Sequence, residues 1–140
     1  MSPVSSAVTA EALDPGALCA RVGDDRAGAV AGFVGVVRDH DAGVPVTAID
    51  YSAHPAAASI LDGICRRIGA REGVHAVGAW HRTGRLAVGD VAMVVAVAAE
   101  HRGQAFGAAA DLVDLVKTEL PAWKRQWLPD GSHVWSGIGA

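Results

Sequence analysis

Nine consecutive apolar residues, Val91–Ala99 (VAMVVAVAA), limit what this chain can fold into more than any other segment. A stretch with no polar position has no side to present to water, so as a strand it must be buried on both faces. It is the longest unbroken apolar run in the 140 residues. It falls far short of the roughly 20 residues a membrane-spanning helix needs.

The flanking segments carry the patterns of the two regular structures. Asp14-Pro15 reads as an N-cap followed by proline at the first helical position, so a short helix is expected over residues 15–22. Nothing else before residue 28 is decisive. Residues 28–37 (GAVAGFVGVV) read as a strand whose glycines mark a bulge or a close backbone approach. A polar turn, 38–43, leads to a second strand, 44–51. Pro55 opens a helix to about residue 68. In it Ala57, Ile60, Leu61, Ile64 and Ile68 recur at helical spacing, and Asp62 and Arg66 form an i,i+4 pair on another face. Val74–Arg82 is a third strand, 83–89 a turn and 90–99 a fourth strand, and so short a connection forces these two strands into a hairpin. Residues 102–120 form the longest helix, stopped by Pro121. Residues 122–128 are extended, 129–131 turn, and 132–135 make a last short strand. The expectation is one α+β (mixed α/β) domain over residues 1–140: a largely antiparallel sheet with helices packed on it.

Composition removes several function classes. A net charge of −3 and a pI near 6.0 argue against a sequence-independent nucleic-acid binder, which needs a basic face. Residues 1–10 lack the basic start and apolar stretch of a signal peptide. Cys19 and Cys65 stand alone, with neither a disulfide framework nor a zinc motif, which points to the reducing cytoplasm. No GxSxG, Walker A, HExxH or helix-opening GxGxxG occurs, and no metal or cofactor is expected.

The basic residues are unevenly divided. Ten are arginine and only two, Lys117 and Lys124, are lysine. On a helical wheel Phe106, Ala109, Ala110, Val113 and Val116 share one arc, and Lys117 falls inside it beside Phe106 and Ala110. A lysine on an apolar stripe either snorkels at the helix end or is desolvated, which lowers its pKa. Past Pro121 the alternation puts Trp123, Arg125 and Trp127 on one side and Lys124 and Gln126 on the other. If that segment turns back past the helix end, the two lysines share a pocket and disfavour each other's charge, one route to a reactive amine. The alternative is an ordinary edge-strand lysine. His101-Arg102 opens the long helix, where backbone N–H groups favour anions. His81-Arg82 and Arg38 also close strands. Together these features describe a cationic pocket for an anionic small molecule. Trp123, Trp127 and Trp135 read as packing for the C-terminal segment.

Four motifs, in order over about residues 28–135, resemble the large, catalytic subunit of molybdopterin synthase, the MoaE family. They are Gly32-Phe33-Val34-Gly35-Val36-Val37-Arg38-Asp39; His81-Arg82-Thr83-Gly84 with Val88-Gly89-Asp90; Glu100-His101-Arg102 with Ala105-Phe106; and Leu115-Val116-Lys117 through Pro121-Ala122-Trp123-Lys124-Arg125, then Asp130-Gly131 and Trp135. The resemblance implies an α/β-hammerhead-type fold and a homodimer. A small ubiquitin-like sulfur-carrier subunit would bind each protomer, making a heterotetramer. The carrier's Gly-Gly C-terminus, as a thiocarboxylate, would deliver two sulfurs to cyclic pyranopterin monophosphate, forming the molybdopterin dithiolene. Lys117 and Lys124 match the family's two catalytic lysines, and Phe33, Arg38, His101 and Arg102 match positions lining its substrate pocket. In the roles this implies, His101 and Arg102 bind the phosphate, Arg38 assists on the phosphate or the pterin, Lys117 sits by the thiocarboxylate, and Lys124 is the general acid/base.

The sequence departs from the family pattern in three places. Gln126 stands where many relatives carry glutamate, the segment 51–55 is less acidic, and no arginine follows Trp135, where longer relatives continue as a basic tail that reaches the neighbouring protomer. Arg82 or Arg125 could stand in for that tail. Two other functions compete: a non-catalytic paralogue that binds the carrier without turnover, and a lysine Schiff-base enzyme acting on a phosphorylated carbonyl compound.

Overall fold

In a computed structural model describing residues 2–139, the chain is an α+β fold. Two four-stranded sheets and a two-stranded ribbon are joined, among the described residues, by three helices. The strands are β1 (Val4–Thr9), β2 (Ala29–Val36), β3 (His40–Asp41), β4 (Val44–Pro45), β5 (Ala48–Ala53), β6 (Val74–Arg82), β7 (Gly84–Ala87), β8 (Val91–Ala99), β9 (Ala122–Trp127) and β10 (His133–Gly137). The helices are α1 (Pro15–Arg21), α2 (Ala57–Gly69) and α3 (Arg102–Glu119). No helix among the described residues is long and apolar enough to cross a membrane.

The apolar run becomes β8, and both of its faces are covered. Met93, Val95, Val97 and Ala99 pack with α2 and α3 into the main core, while Val94, Ala96 and Ala98 pack against Leu18 and Val22, at α1 and its end. The first sheet has the order β1-β6-β8-β2. β6 and β8 pair antiparallel, the expected neighbours, and β1 joins β6 in parallel. α1 begins as expected, with the Asp14 carboxylate accepting from the N–H groups of Gly16 and Ala17 at 3.0 and 3.4 Å. Leu18 of α1 lies directly on the backbone of β6, and a Cβ at Gly78 would run into its side chain. Gly78→Ala is therefore expected to cost about 1–3 kcal/mol, as overpacking does, and a urea unfolding midpoint will report it. Cys19 and Cys65 are free thiols, and burial pushes Cys65 up to about 12, beyond reactivity at neutral pH.

Three expectations change. β1 lies in a region that gave no strand signal. Residues 83–89 are not only a turn: β7 lies within them, a strand pairing with β5 in the second sheet. The strand expected over 44–51 divides into β4, which pairs with β3 in the presumed polar turn, and β5.

The second sheet, β10-β9-β5-β7, positions the C-terminal half of the chain. Pro121 disfavours helical backbone at Leu120, which adopts φ −71°, ψ 121°. The chain then leaves α3 as β9, antiparallel to β5. Asp50 anchors the outer face of this sheet. Its Oδ2 accepts from Trp127 Nε1 at 2.7 Å and from Arg125 Nη2 and Nε at 2.9 and 3.2 Å. The Arg125 guanidinium in turn stacks over Trp127 and Trp135, 4.7 and 5.1 Å from the ring centroids. Trp123 and Trp135 are nonetheless 46% and 52% exposed, so only Trp127 fully fits the expected packing role.

The Trp127 bond, then Arg125, hold the Asp50 carboxyl below its ordinary value against the opposing effect of burial. A depressed carboxyl stabilises the fold above the ordinary carboxylate pKa, and that contribution fades as pH falls through the folded value. Asp50→Ala is expected to cost about 2 kcal/mol at pH 7 by leaving two half-buried donors without their acceptor. The deficit in chemical denaturation should shrink as the pH drops below 3.8, the value of an unperturbed Asp.

Candidate functional site

The end of α3 and the start of β9 bring the two lysines together. Lys117 lies in the last helical turn and Lys124 is the third residue of β9, after the bend at Pro121. Both line a cleft of about 450 Å³ with Phe33 and Val36 from β2, Arg38, Asp41, Tyr51 and Gln126. A smaller recess of about 90 Å³, lined by both lysines, Phe33, Tyr51, His81 and Met93, lies beside it. In the β5–β9 ladder Tyr51 stands opposite Lys124 and Ile49 opposite Gln126, so these four side chains share the cleft face while Asp50 and Arg125 share the other. The alternation expected for residues 123–127 is present.

Lys117 does not lie on the buried stripe of α3. That stripe is Ala105, Ala108, Ala109, Leu112, Val113 and Val116, and Lys117 is exposed, as is Phe106 at 66%. Phe106 and Ala110, with Ala109 and Val113 at the edge of that stripe, line a separate apolar groove of about 350 Å³ between α3 and β2. Phe33 lines the groove, the recess and the lysine cleft alike. Groove and cleft therefore meet at Phe33.

The electrostatics of the cleft are cationic in a chain of net charge −3. Lys124 is half-buried, and its ammonium is pushed below its ordinary value, first by burial and then by Lys117 and Arg38, with Asp41 opposing. Asp41 also lines the cleft, a residue that the sequence did not single out. Its Oδ2 accepts from Gln126 Nε2 at 2.8 Å, and its Oδ1 lies 3.4 Å from Arg38 Nη2. The Gln126 bond, followed by Lys124, holds the Asp41 carboxyl below its ordinary value despite burial. The cleft thus keeps a carboxylate although position 126 is an amide; the acid comes from β3, and Gln126 holds it.

Other expected site residues lie elsewhere. β8 runs antiparallel to β2 and β6, so its C-terminal end falls at the sheet edge opposite the ends that carry Arg38 and Arg82. His101 and Arg102 sit there, exposed, at the start of α3. Arg102 and Lys117 are fifteen residues apart on that helix, roughly 22 Å at about 1.5 Å per residue. The His101 N–H donates to Gln104 Oε1 at 3.1 Å, closing the first turn. One chain does not bring this pair to its own lysines. Neither proposed stand-in reaches the cleft: Arg125 is bound to Asp50 on the other face, and Arg82 donates to the Ala10 carbonyl at 3.3 Å. His81 is not half of a cationic pair either. It is 5% exposed, and burial, aided by Lys117, lowers its pKa and keeps the ring neutral, against a weaker opposing bond to the Arg82 carbonyl. Among the described residues no group of three or more His, Cys, Asp or Glu side chains is placed to hold a metal ion.

Comparison with known proteins gives concordant results. The model of the MoaE protein family matches residues 8–119, a span that includes Lys117 and stops short of Lys124. The chain is 38% identical over 132 residues to molybdopterin synthase catalytic subunit 1 of Mycobacterium tuberculosis, covering 93% of this chain and 88% of that protein. A crystal structure of molybdopterin synthase from Staphylococcus aureus superposes with a TM-score of 0.85 at 28% identity, over 93% of this chain and 95% of that one. A protein–protein complex of subunits 1 and 2 of molybdopterin-converting factor from Helicobacter pylori contains a chain with the same fold. It aligns with a TM-score of 0.70 at 18% identity, over 95% and 89% of the two chains.

Proposed function

We propose, from the premise that the chain belongs to the MoaE family of molybdopterin synthase catalytic subunits, that it transfers sulfur from the C-terminal thiocarboxylate of a small ubiquitin-like carrier to cyclic pyranopterin monophosphate in the cytoplasm. The observation that carries this reading is the convergence of Lys117, Lys124 and Arg38 on one cleft of about 450 Å³, a volume in the range of small-molecule sites. The thiocarboxylate and the substrate phosphate are both anions, and the cleft concentrates positive charge where they must meet. Lys117, at the solvent side, stabilises the thiocarboxylate and the oxyanion formed on its carbon. Lys124, with its ammonium destabilised, exchanges the proton as the substrate ring opens. Arg38, braced by Asp41, holds the phosphate.

The apolar groove supports the same assignment for the carrier. A thin Gly-Gly tail lying between α3 and β2 arrives at Phe33, where groove and cleft join. The Helicobacter pylori chain of the same fold was solved in a protein–protein complex of subunits 1 and 2 of molybdopterin-converting factor. The position of His101 and Arg102, roughly 22 Å along α3 from Lys117, supports a homodimer within the heterotetramer: the pair serves a cleft only from a second protomer. Asp41 supplies a carboxylate to the cleft although position 126 is glutamine, so the catalytic reading is preferred to the non-catalytic paralogue. Incubation with thiocarboxylated carrier and cyclic pyranopterin monophosphate, followed by detection of the dithiolene, tests it. Carrier binding without product would refute it.

A further inference from the structure

His81 is the one polar side chain buried among the described residues, 5% exposed, and the roles assigned above do not use it. Its Nδ1 lies 2.8 Å from the Arg82 carbonyl oxygen. A carbonyl only accepts, so Nδ1 carries the proton, and in the neutral ring Nε2 is left as an acceptor. The ring is held in place by an edge contact with Tyr51, centroids 5.2 Å apart at 76°, and by Val8 and Met93 opposite it on β1 and β8. It lines the 90 Å³ recess beside the lysine cleft. That recess is large enough to hold ordered water. The titratable groups lining it with His81 are Tyr51 from β5, Lys117 from α3 and Lys124 from β9. Burial and the Lys117 charge keep the imidazole unprotonated, and burial raises Tyr51 and keeps it a neutral phenol.

The proposed reaction requires such a group. When the thiocarboxylate sulfur bonds to a substrate carbon, that sulfur is held by both the carrier's acyl carbon and the substrate, as a thioester. The carrier leaves only when the acyl C–S bond breaks. We propose that His81 Nε2 binds and deprotonates the water that hydrolyses this thioester. The water oxygen bonds to the acyl carbon and its proton passes to Nε2. The C–S electron pair leaves with sulfur as the substrate thiolate, and the carrier is released as a carboxylic acid that loses its own proton to solvent and departs as a carboxylate. The Nε2 proton then passes to solvent. In this step the two lysines act as ammonium groups that stabilise the tetrahedral oxyanion, and Lys124 exchanges its proton only as the substrate ring opens. This assignment rests on the sulfur-transfer reading and adds a water-activating residue to it.

The test is a single-turnover reaction with thiocarboxylated carrier and cyclic pyranopterin monophosphate, quenched and read by mass spectrometry. In His81→Asn the amide can still donate to the Arg82 carbonyl but leaves nothing at Nε2. Covalent carrier–substrate adduct should accumulate, its release should slow about 100-fold with the rate of adduct formation unchanged, and added hydroxylamine should release the adduct. His81→Gln, with an acceptor but no base near Nε2, should behave alike. In the native protein the release step should slow as the pH falls through the imidazole titration, a measurement that needs no variant. Native turnover in His81→Asn, or a release rate independent of pH in the native protein, overturns the proposal. Absence of dithiolene from the native protein would instead defeat the sulfur-transfer reading itself.

Discussion

Lys117→Ala is expected to lower dithiolene formation by about 1000-fold or more while the fold and the proposed homodimer survive. The magnitude follows from removing a cation placed where negative charge builds on the thiocarboxylate carbon, which is worth 10²–10³ on its own by the usual scale of oxyanion stabilisation (roughly), compounded by loss of the charge that draws both anions into the cleft. The survival follows from its position. Lys117 is exposed and lies outside the buried stripe of α3. Unfolding free energy should therefore change by no more than about 0.5 kcal/mol. The measurement is a reconstituted assay beside a denaturation curve of the same preparation. Full activity in Lys117→Ala would remove the lysine from the chemistry, and a collapsed dimer would show that its role is structural.

The fold was legible where local pattern and tertiary environment agree. Val91–Ala99 reads as doubly buried because both faces are apolar, and β8 is covered by helices on both sides. β1 was not legible: VSSAVT carries no alternation and is half-buried throughout, and its strand character comes from pairing with residues 77–82, some seventy positions away. β7 hid between Gly84 and Gly89, whose φ values of +92° and +90° belong to turns, and only its ladder with β5 makes it a strand. In the site, the lysines stood out by their rarity and by the resemblance. Of the arc that holds Lys117, Ala109, Val113 and Val116 do face the core, but Lys117 shares the exposed side with Phe106 and Ala110, which border a groove. His81-Arg82 looked cationic because sequence shows the residue type and not its burial. Asp41 was invisible for a related reason: its partner Gln126 is 85 residues away in the chain. The apparent cluster of His101-Arg102 with Arg38 came from counting strand ends without their direction, and one antiparallel strand separates them.

The same difference in chemistry separates the two lysines in an arginine exchange. Arginine keeps the charge and does not give up its proton. If Lys117 acts through charge, Lys117→Arg should retain a substantial share of activity, a loss of about 10-fold set by altered geometry. If Lys124 moves a proton, Lys124→Arg should lose about 100- to 1000-fold, close to Lys124→Ala, because general acid/base catalysis is worth roughly that much. The environment favours this division. Lys124 is the lysine whose ammonium is destabilised, by burial first and then by the cations Lys117 and Arg38, so its neutral amine forms at lower pH than that of a free lysine. Asp41 limits the shift and, held by Gln126, stays ionised beside it. A titration on the alkaline side of the native rate profile, below the ordinary lysine value of 10.5, should thus belong to Lys124, disappear in Lys124→Arg and persist in Lys117→Arg. Profiles of kcat for the three proteins decide the matter. If Lys124→Arg keeps both its rate and that titration, the proton is carried by another group, and Lys124 would be left with the electrostatic role now assigned to its neighbour.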